Sequence, residues 1–269
     1  IDRIRVYRSK TSLAGVTDFY FLVELPVAQG GVAQSDDFQQ QLNEPIPSAD
    51  NAPPPDDMEG LIALPNGLMA AFAGREVLFC EPYKPHSWPI KYRMTTDTDI
   101  VGLGAFGTFL AVMTNGSPFI IQGSDPSLMV SEKMEVTLPC TNPLSIVDMG
   151  YSVAFASLEG LVLVTTSGAN VVTRDLFTDE QWRMMDPSTF KAEQRNGRYH
   201  FSYLPSGASD RKFGIIDIAR EQPYFIEGSI EPDLLYYDPP DGALYFTEGG
   251  AVVKRFDPRG TGDVAKQTW

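Results

Sequence analysis

Apolar and polar residues alternate along most of this chain with a period of two, the spacing of a half-buried β-strand. "RIRVYRS" sets Ile4 and Val6 against Arg3 and Arg5. "DFYFLVELPV" is almost wholly aliphatic, aromatic or β-branched. With the loop-like "KTSLAGVT" between them, residues 1–27 read as a β-hairpin platform segment. The alternation then stops. Residues 28–59 carry glycine pairs, glutamines, acids and the stiff Pro53–Pro55 run, the composition of a surface connector. Within it "SDDFQQQLN" predicts a short helix with Ser35 as N-cap and acids in the first turn.

From residue 60 to residue 269 the alternation returns as a repeat. "PNGLMAAFAG", "AFGTFLAVMTNG", "DMGYSVAFASLEG", "RNGRYHFSYLPSG" and "PDGALYFTEGG" each place a glycine turn, an apolar strand and a second turn in succession. The first-turn glycines Gly67, Gly107, Gly150, Gly197 and Gly242 are spaced by 40, 43, 47 and 45 residues. Gly74, Gly116, Gly160, Gly207 and Gly250 follow at offsets of 7 to 10. Asn-Gly and Asp-Gly turns favour tight hairpins because glycine reaches positive φ at little cost. One strand precedes the first turn and one follows the second. Weaker fourth strands lie in "IKYRMT", "KMEVTL", "NVVTRD" and "PYFIEG". Four strands every 40 to 47 residues make the blade of a β-propeller. The predicted fold is therefore all-β, with about five blade-like units after the hairpin; a long β-sandwich is the main rival.

Charge and chemistry change this picture little. The 269 residues carry a net charge of −14. Between Lys10 and Arg75 there are nine acids and no basic residue, Asp36, Asp37, Asp56, Asp57 and Glu59 among them. Phosphate binding needs clustered Lys and Arg, so the chain does not read as a duplex binder. The acids read as a solvated surface, which can also line a passage without gripping nucleic acid. Cys80 and Cys140 are too few for a disulfide framework and read as buried thiols. No HExxH, CxxC, GxSxG, Walker loop or dinucleotide fingerprint occurs. His200, inside the alternating "GRYHFSY", reads as a packed or surface histidine. The expectation is a non-enzyme with no catalytic residues, metal or cofactor. No apolar run reaches 18 residues, so no transmembrane helix is expected. The chain opens at Ile1 in strand-like sequence and stops at Trp269 just after a turn, which suggests a piece of a longer protein.

One stretch concentrates unusual residues. "FCEPYKPHSWP" packs Pro82, Tyr83, Pro85, His86, Trp88 and Pro89 behind the strand "EVLFCE". Prolines remove ladder donors and fix φ, so this predicts a rigid corner between two strands of the first blade. Tyr83 and Trp88 are expected to bury their rings with polar tips satisfied. These six residues are the candidate interface, presented to a neighbouring subunit.

"RVYRS…FYFLVEL", the acidic connector running into "EPYKPHSWP", "VMTNGSPFIIQGSDP" and "ASLEGLVLV" followed by "LFTDEQW" together resemble the tail nozzle, or tail tubular B-type, proteins of short-tailed bacteriophages. The resemblance covers nearly the whole chain; "EPYKPHSWP" and "ASLEGLVLV" are its most specific parts. It implies a virion structural protein, made in the bacterial cytoplasm, that forms a six-fold ring at the end of a short tail. Adaptor and fibre proteins would be partners, and genomic DNA would pass through without specific binding. This chain is shorter than a full nozzle subunit. The alternatives are a cellular-type propeller that binds proteins and a tail-associated propeller that binds or cleaves glycans.

Overall fold

A computed structural model describes residues 3–11, 17–27, 44, 46, 52–218, 223–249 and 252–256. The chain forms two compact units, Ile1–Ala52 and Pro53–Trp269. The 28–59 connector is therefore divided between them. The helix expected at "SDDFQQQLN", with Asp36 and Asp37, lies outside the described residues.

In the first unit β1 (Arg3–Thr11) and β2 (Thr17–Pro26) form an antiparallel hairpin with a register shift between Val6 and Tyr7. Arg3 and Arg5 both bond the Glu24 carboxylate, at 2.8 and 2.9 Å. Tyr7 and Phe21 meet edge to face at 6.0 Å. Glu44 and Ile46 lie against β2: Phe21 N–H donates to Glu44 O at 2.7 Å, and Ile46 N–H to Phe19 O at 2.6 Å.

The second unit is built from five antiparallel sheets among the described residues. The first is β3 (Glu59–Leu64), β4 (Leu68–Ala73), β5 (Glu76–Phe79) and β6 (Met94–Thr95). The second is β7 (Ile100–Phe106), β8 (Phe109–Thr114), β9 (Phe119–Gln122) and β10 (Val130–Lys133). The third is β11 (Val147–Asp148), β12 (Val153–Ser157), β13 (Gly160–Thr165) and β14 (Gly168–Val171). The fourth is β15 (Lys191–Arg195), β16 (Arg198–Tyr203), β17 (Lys212–Asp217) and β18 (Tyr224–Gly228), and the fifth is β19 (Leu234–Asp238), β20 (Ala243–Glu248) and β21 (Val252–Phe256). Each sheet is a meander in chain order. Successive first strands touch, β3 with β7, then β11, β15 and β19 in turn. This is an all-β, β-propeller-like architecture with the first strands innermost.

The repeat read from the sequence corresponds to these sheets. All five first-turn glycines have positive φ. At two of them asparagine joins in: Asn66 and Gly67 have φ of 62° and 65°, and Asn196 and Gly197 have 53° and 73°, as a tight primed turn demands. Two fourth strands differ from expectation: β14 (Gly168–Val171) overlaps "NVVTRD" by only two residues, and the second sheet departs further. The second sheet ends with Val130–Lys133, upstream of most of "KMEVTL". Two of the three apolar residues of that stretch, Met134 and Leu138, are buried instead in the core between the second and third sheets, while Val136 is exposed.

The core is layered between sheets. Leu68, Phe72, Val77 and Phe79 of the first sheet pack with Leu110, Val112 and Ile121 of the second. Phe106, Met113 and Ile120 pack with Val153, Phe155 and Val162 of the third. Trp182, Phe190, Tyr199, Phe201 and Tyr203 fill the space between the third and fourth. Close approach is built into β7: a Cβ on Gly102 would lie 2.5 Å from Ile146 Cδ1, and one on Gly104 would lie 2.6 Å from Val153 Cγ1.

Polar side chains tie the links between sheets. Arg75, in the β4–β5 turn, pairs with Asp99, in the link to β7, at 2.8 Å. Asn142 Oδ1 accepts from Leu144 N–H, while its Nδ2 donates to Ser188 O at 2.8 Å and Phe190 O at 2.7 Å. It thus joins the link that enters the third sheet to the link that enters the fourth. Tyr199 OH donates to Ser145 O at 2.8 Å across the same junction.

Gly104→Ala inserts a methyl group where β12 leaves no room. Urea unfolding should show a loss of about 1–3 kcal/mol, the usual cost of overpacking a filled core.

Candidate functional site

The corner after β5 is held from within. Cys80 N–H donates to Met69 O, and Met69 N–H points at Cys80 Sγ, both at 3.1 Å. Glu81 N–H donates to Ser87 O at 2.8 Å, Lys84 N–H to Glu81 O at 2.9 Å and Ser87 N–H to Lys84 O at 3.0 Å. Two consecutive turns result, and neither Pro82 nor Pro85 is asked for a donor. Trp88 Nε1–H donates to Pro85 O at 2.9 Å. Ser87, Trp88, Pro89 and Tyr92 are buried; Pro85 and His86 are exposed. Arg93 anchors the exit of the corner to Glu76 of β5 at 2.9 Å.

Tyr83 departs from expectation. Trp88 is 2% exposed, but Tyr83 is 77% exposed. Its backbone sits at φ 60°, a left-handed conformation that a tyrosine rarely adopts. The cause is the neighbouring turn. Tyr83 N–H donates to Gly67 O at 2.8 Å, and the ring lies over Gly67, where a Cβ would be 2.3 Å from Tyr83 Cδ1. The strain places a large ring at the surface, braced by the first turn of the same sheet. Ile90, in the same corner, is 69% exposed, and Lys91 Nζ stands 5.2 Å from the centre of the Tyr92 ring.

The remaining sequence candidates lie apart from this corner. Asp56 and Asp57 sit in an exposed turn ahead of β3, and Glu59 is the exposed first residue of that strand. Cys80 and Cys140 are free and buried. Burial pushes the Cys140 thiol up to about 11, so it is no thiolate at neutral pH. His200 is buried between Phe213 and Phe256, with Nδ1 3.1 Å from Arg198 O. Burial lowers its imidazole from 6.5 to about 4, against the pull of that carbonyl. Glu193 lies opposite His200 in the β15–β16 ladder, and burial raises its carboxyl above the usual range. Among the described residues no three His, Cys, Asp or Glu come together to hold a metal ion. No helix among them is long and apolar enough to cross a membrane.

One element was missed in the sequence. "TDEQW" forms α1 (Asp179–Met184), closed by a capping box in which Thr178 Oγ1 accepts from Gln181 N–H and Gln181 Oε1 accepts from Thr178 N–H. The signal was present as Thr-x-x-Gln before an aromatic. The helix plugs the link between the third and fourth sheets with Trp182, whose Nε1–H donates to Ser157 O at 2.8 Å.

No protein family matches this chain, and no curated protein does. Among solved structures it is similar to the N-terminal domain of Nup159, at 6% identity and a TM-score of 0.43, over 71% of this chain and 56% of that one. It is similar to Kluyvelomyces marxianus Hsv2, at 7% identity and a TM-score of 0.47, over 90% of this chain and 69% of that one. It is also similar to the β-propeller domain of Myceliophteria thermophila Cps50 (Swd1), at 10% identity and a TM-score of 0.42, over 75% and 69%. The chain thus spans little more than half of the Nup159 domain. Likenesses this distant say nothing of function, and the fold assignment stands on the sheets themselves.

The corner separates scaffold from surface by mutation. Trp88→Ala should cost about 3–5 kcal/mol in chemical unfolding, the usual loss for a buried tryptophan. Tyr83→Phe should leave stability within about 0.5 kcal/mol, because the hydroxyl it removes belongs to an exposed ring. His200 gives a test in pH. Its folded value lies below its unfolded one, so its stabilising effect is complete above 6.5 and is lost as the pH falls from 6.5 towards 4. Over that window the unfolded chain binds the proton first, and this residue alone should lower stability by about 1.4 kcal/mol per pH unit. His200→Phe should flatten the slope of unfolding free energy against pH by that amount.

Proposed function

We propose that this chain is a non-catalytic β-propeller module that holds other protein subunits. The observation that carries this reading is the corner at residues 80–93: a braced loop with a buried floor that presents Tyr83 and Ile90 outward. Tyrosine is among the residues that dominate binding energy at interfaces. A loop already fixed by its own hydrogen bonds loses little entropy when a partner docks. The titratable groups with the largest departures from ordinary values, Tyr199, Tyr203, His200 and Cys140, are packed inside the body, where they serve folding.

The resemblance to tail nozzle proteins supports a more particular form of this reading. In it the module is a virion component whose copies form a six-fold ring around the DNA exit path, in contact with adaptor and fibre proteins. Two observations favour it. The corner that stands out at the surface is also one of the two most specific parts of the resemblance, and a net charge of −14 suits a conduit that must not retain DNA.

Mass photometry across a range of concentrations, followed by negative-stain imaging, tests both forms. The expected result is a ring for the wild-type chain and monomers for Tyr83→Ala/Ile90→Ala with the same thermal unfolding profile. Rings that survive the double substitution would remove the corner from the interface. A chain that stays monomeric, and that cross-links to no neighbour in particles containing it, would overturn the module reading altogether.

A further inference from the structure

A groove between the second and third sheets lies apart from the corner. One wall is β14, the outer strand of the third sheet. The other is the chain leaving β10, through Glu132, Glu135 and Val136, and Ile120 and Ala169 line it as well. The groove continues past Leu138 and Val171 to Glu159.

The ladder fixes what β14 offers to this groove. Thr165 and Gly168 flank a two-residue turn, so they are a hydrogen-bonded pair. Val172 N–H donates to Leu161 O at 2.9 Å, in the same phase. The alternation of an antiparallel pair then turns Gly168 and Asn170 towards β13 and directs the N–H and C=O of Ala169 and Val171 away from it.

β14 is also undefended. Natural sheets protect their edges with charge, proline, bulges or very short strands. β6 has only two residues; β10 carries Glu132 and Lys133; Glu227 of β18 is engaged by Lys212 and Tyr203. The sequence of β14, Gly-Ala-Asn-Val, has neither a charge nor a proline; Asn170 is exposed, Gly168 and Val171 are half-buried and Ala169 is buried at the foot of the groove. The facing wall is negative. Lys133 is taken up by Asp97, whereas neither Glu132 nor Glu135 forms an ion pair among the described residues. Glu159 has only a long contact to Arg174, at 3.8 Å.

We propose that this groove takes an extended segment of another protein, with lysine or arginine at alternate positions, as a strand added to β14. The backbone of Ala169 and Val171 supplies the pairing common to any strand addition. Glu132 and Glu135 select basic side chains on the face turned towards them.

The probe is a fluorescent peptide of alternating lysine and valine, read by anisotropy against the whole chain. Saturable binding is expected, weakened about tenfold or more by Glu132→Lys/Glu135→Lys and by added salt. The same peptide with alternate backbone nitrogens methylated should lose binding by a similar factor, which tests the strand pairing without altering the protein. Val171→Pro removes an outward donor and leaves the β13 ladder intact; it should weaken binding with an unchanged circular dichroism spectrum. Equal binding of the methylated peptide would overturn the proposal, since charge alone would then suffice. So would equal binding of a peptide of alternating glutamate and valine. Sedimentation showing that the edge is occupied by a second copy of this chain, with dimers lost in the charge-reversed variant, would overturn it in favour of self-association.

Discussion

The sheets of the second unit depend on packing face against face. A meander of four short strands has too little apolar surface of its own to offset the entropy of ordering it. The second, third and fourth sheets are instead each stacked between two neighbours, and their inner strands read as nearly continuous buried runs: all five residues of β12 are buried, and so are five of the six in β8. Gly102 and Gly104 show how tight the stacking is, because their missing side chains are what let the third sheet approach. The architecture follows from that requirement. Identical problems of coverage, solved side by side with short connections, place the first strands together and the outer strands apart.

This division also separates stability from recognition. Polar groups inside the body are committed to the fold. Asn142 and Tyr199 hold sheet-to-sheet links, Arg198 pairs with the nearly buried Asp217 at 2.9 Å, and His200 fills space as a neutral ring. What remains free to meet other molecules lies on loops and outer strands, which sequence changes can alter at little cost to the core. The corner at Tyr83 and the edge of β14 are two such places, and they differ in kind. One presents side chains on a strained, braced loop; the other presents backbone.

Much of the fold was legible because turns and strands carry local signals. The five glycine turns, the strand between each pair of turns and the existence of a fourth strand follow from alternation and from the φ that Asn-Gly and Asp-Gly turns require. The register of the fourth strand was not legible in the second sheet. Two of its apolar residues, Met134 and Leu138, are buried in an inter-sheet core that alternation alone cannot distinguish from a strand face. α1 was missed because one helical turn between repeats is shorter than any periodicity can report, although its capping box was in plain sight. The corner could be read as rigid from its prolines. Which of its two aromatics would be buried could not, since Tyr83 is turned outward by a contact with Gly67, sixteen positions earlier. The groove beside β14 was invisible for a similar reason: it belongs to two sheets at once.

Asn142 bears on how such a chain comes apart. In an array of repeats, each unit touches only its neighbours, and terminal units can peel away one at a time under heat or tension. A side chain whose amide grips the entry to the next sheet, while its carbonyl oxygen shapes the entry to its own, opposes that zipper. Separating the third sheet from the fourth also strands the buried Tyr199 hydroxyl, whose bond to Ser145 O crosses the same seam, before any solvent has entered to receive it. The middle of the array should therefore yield as a block, with a barrier set by the hydrogen bonds placed at that seam.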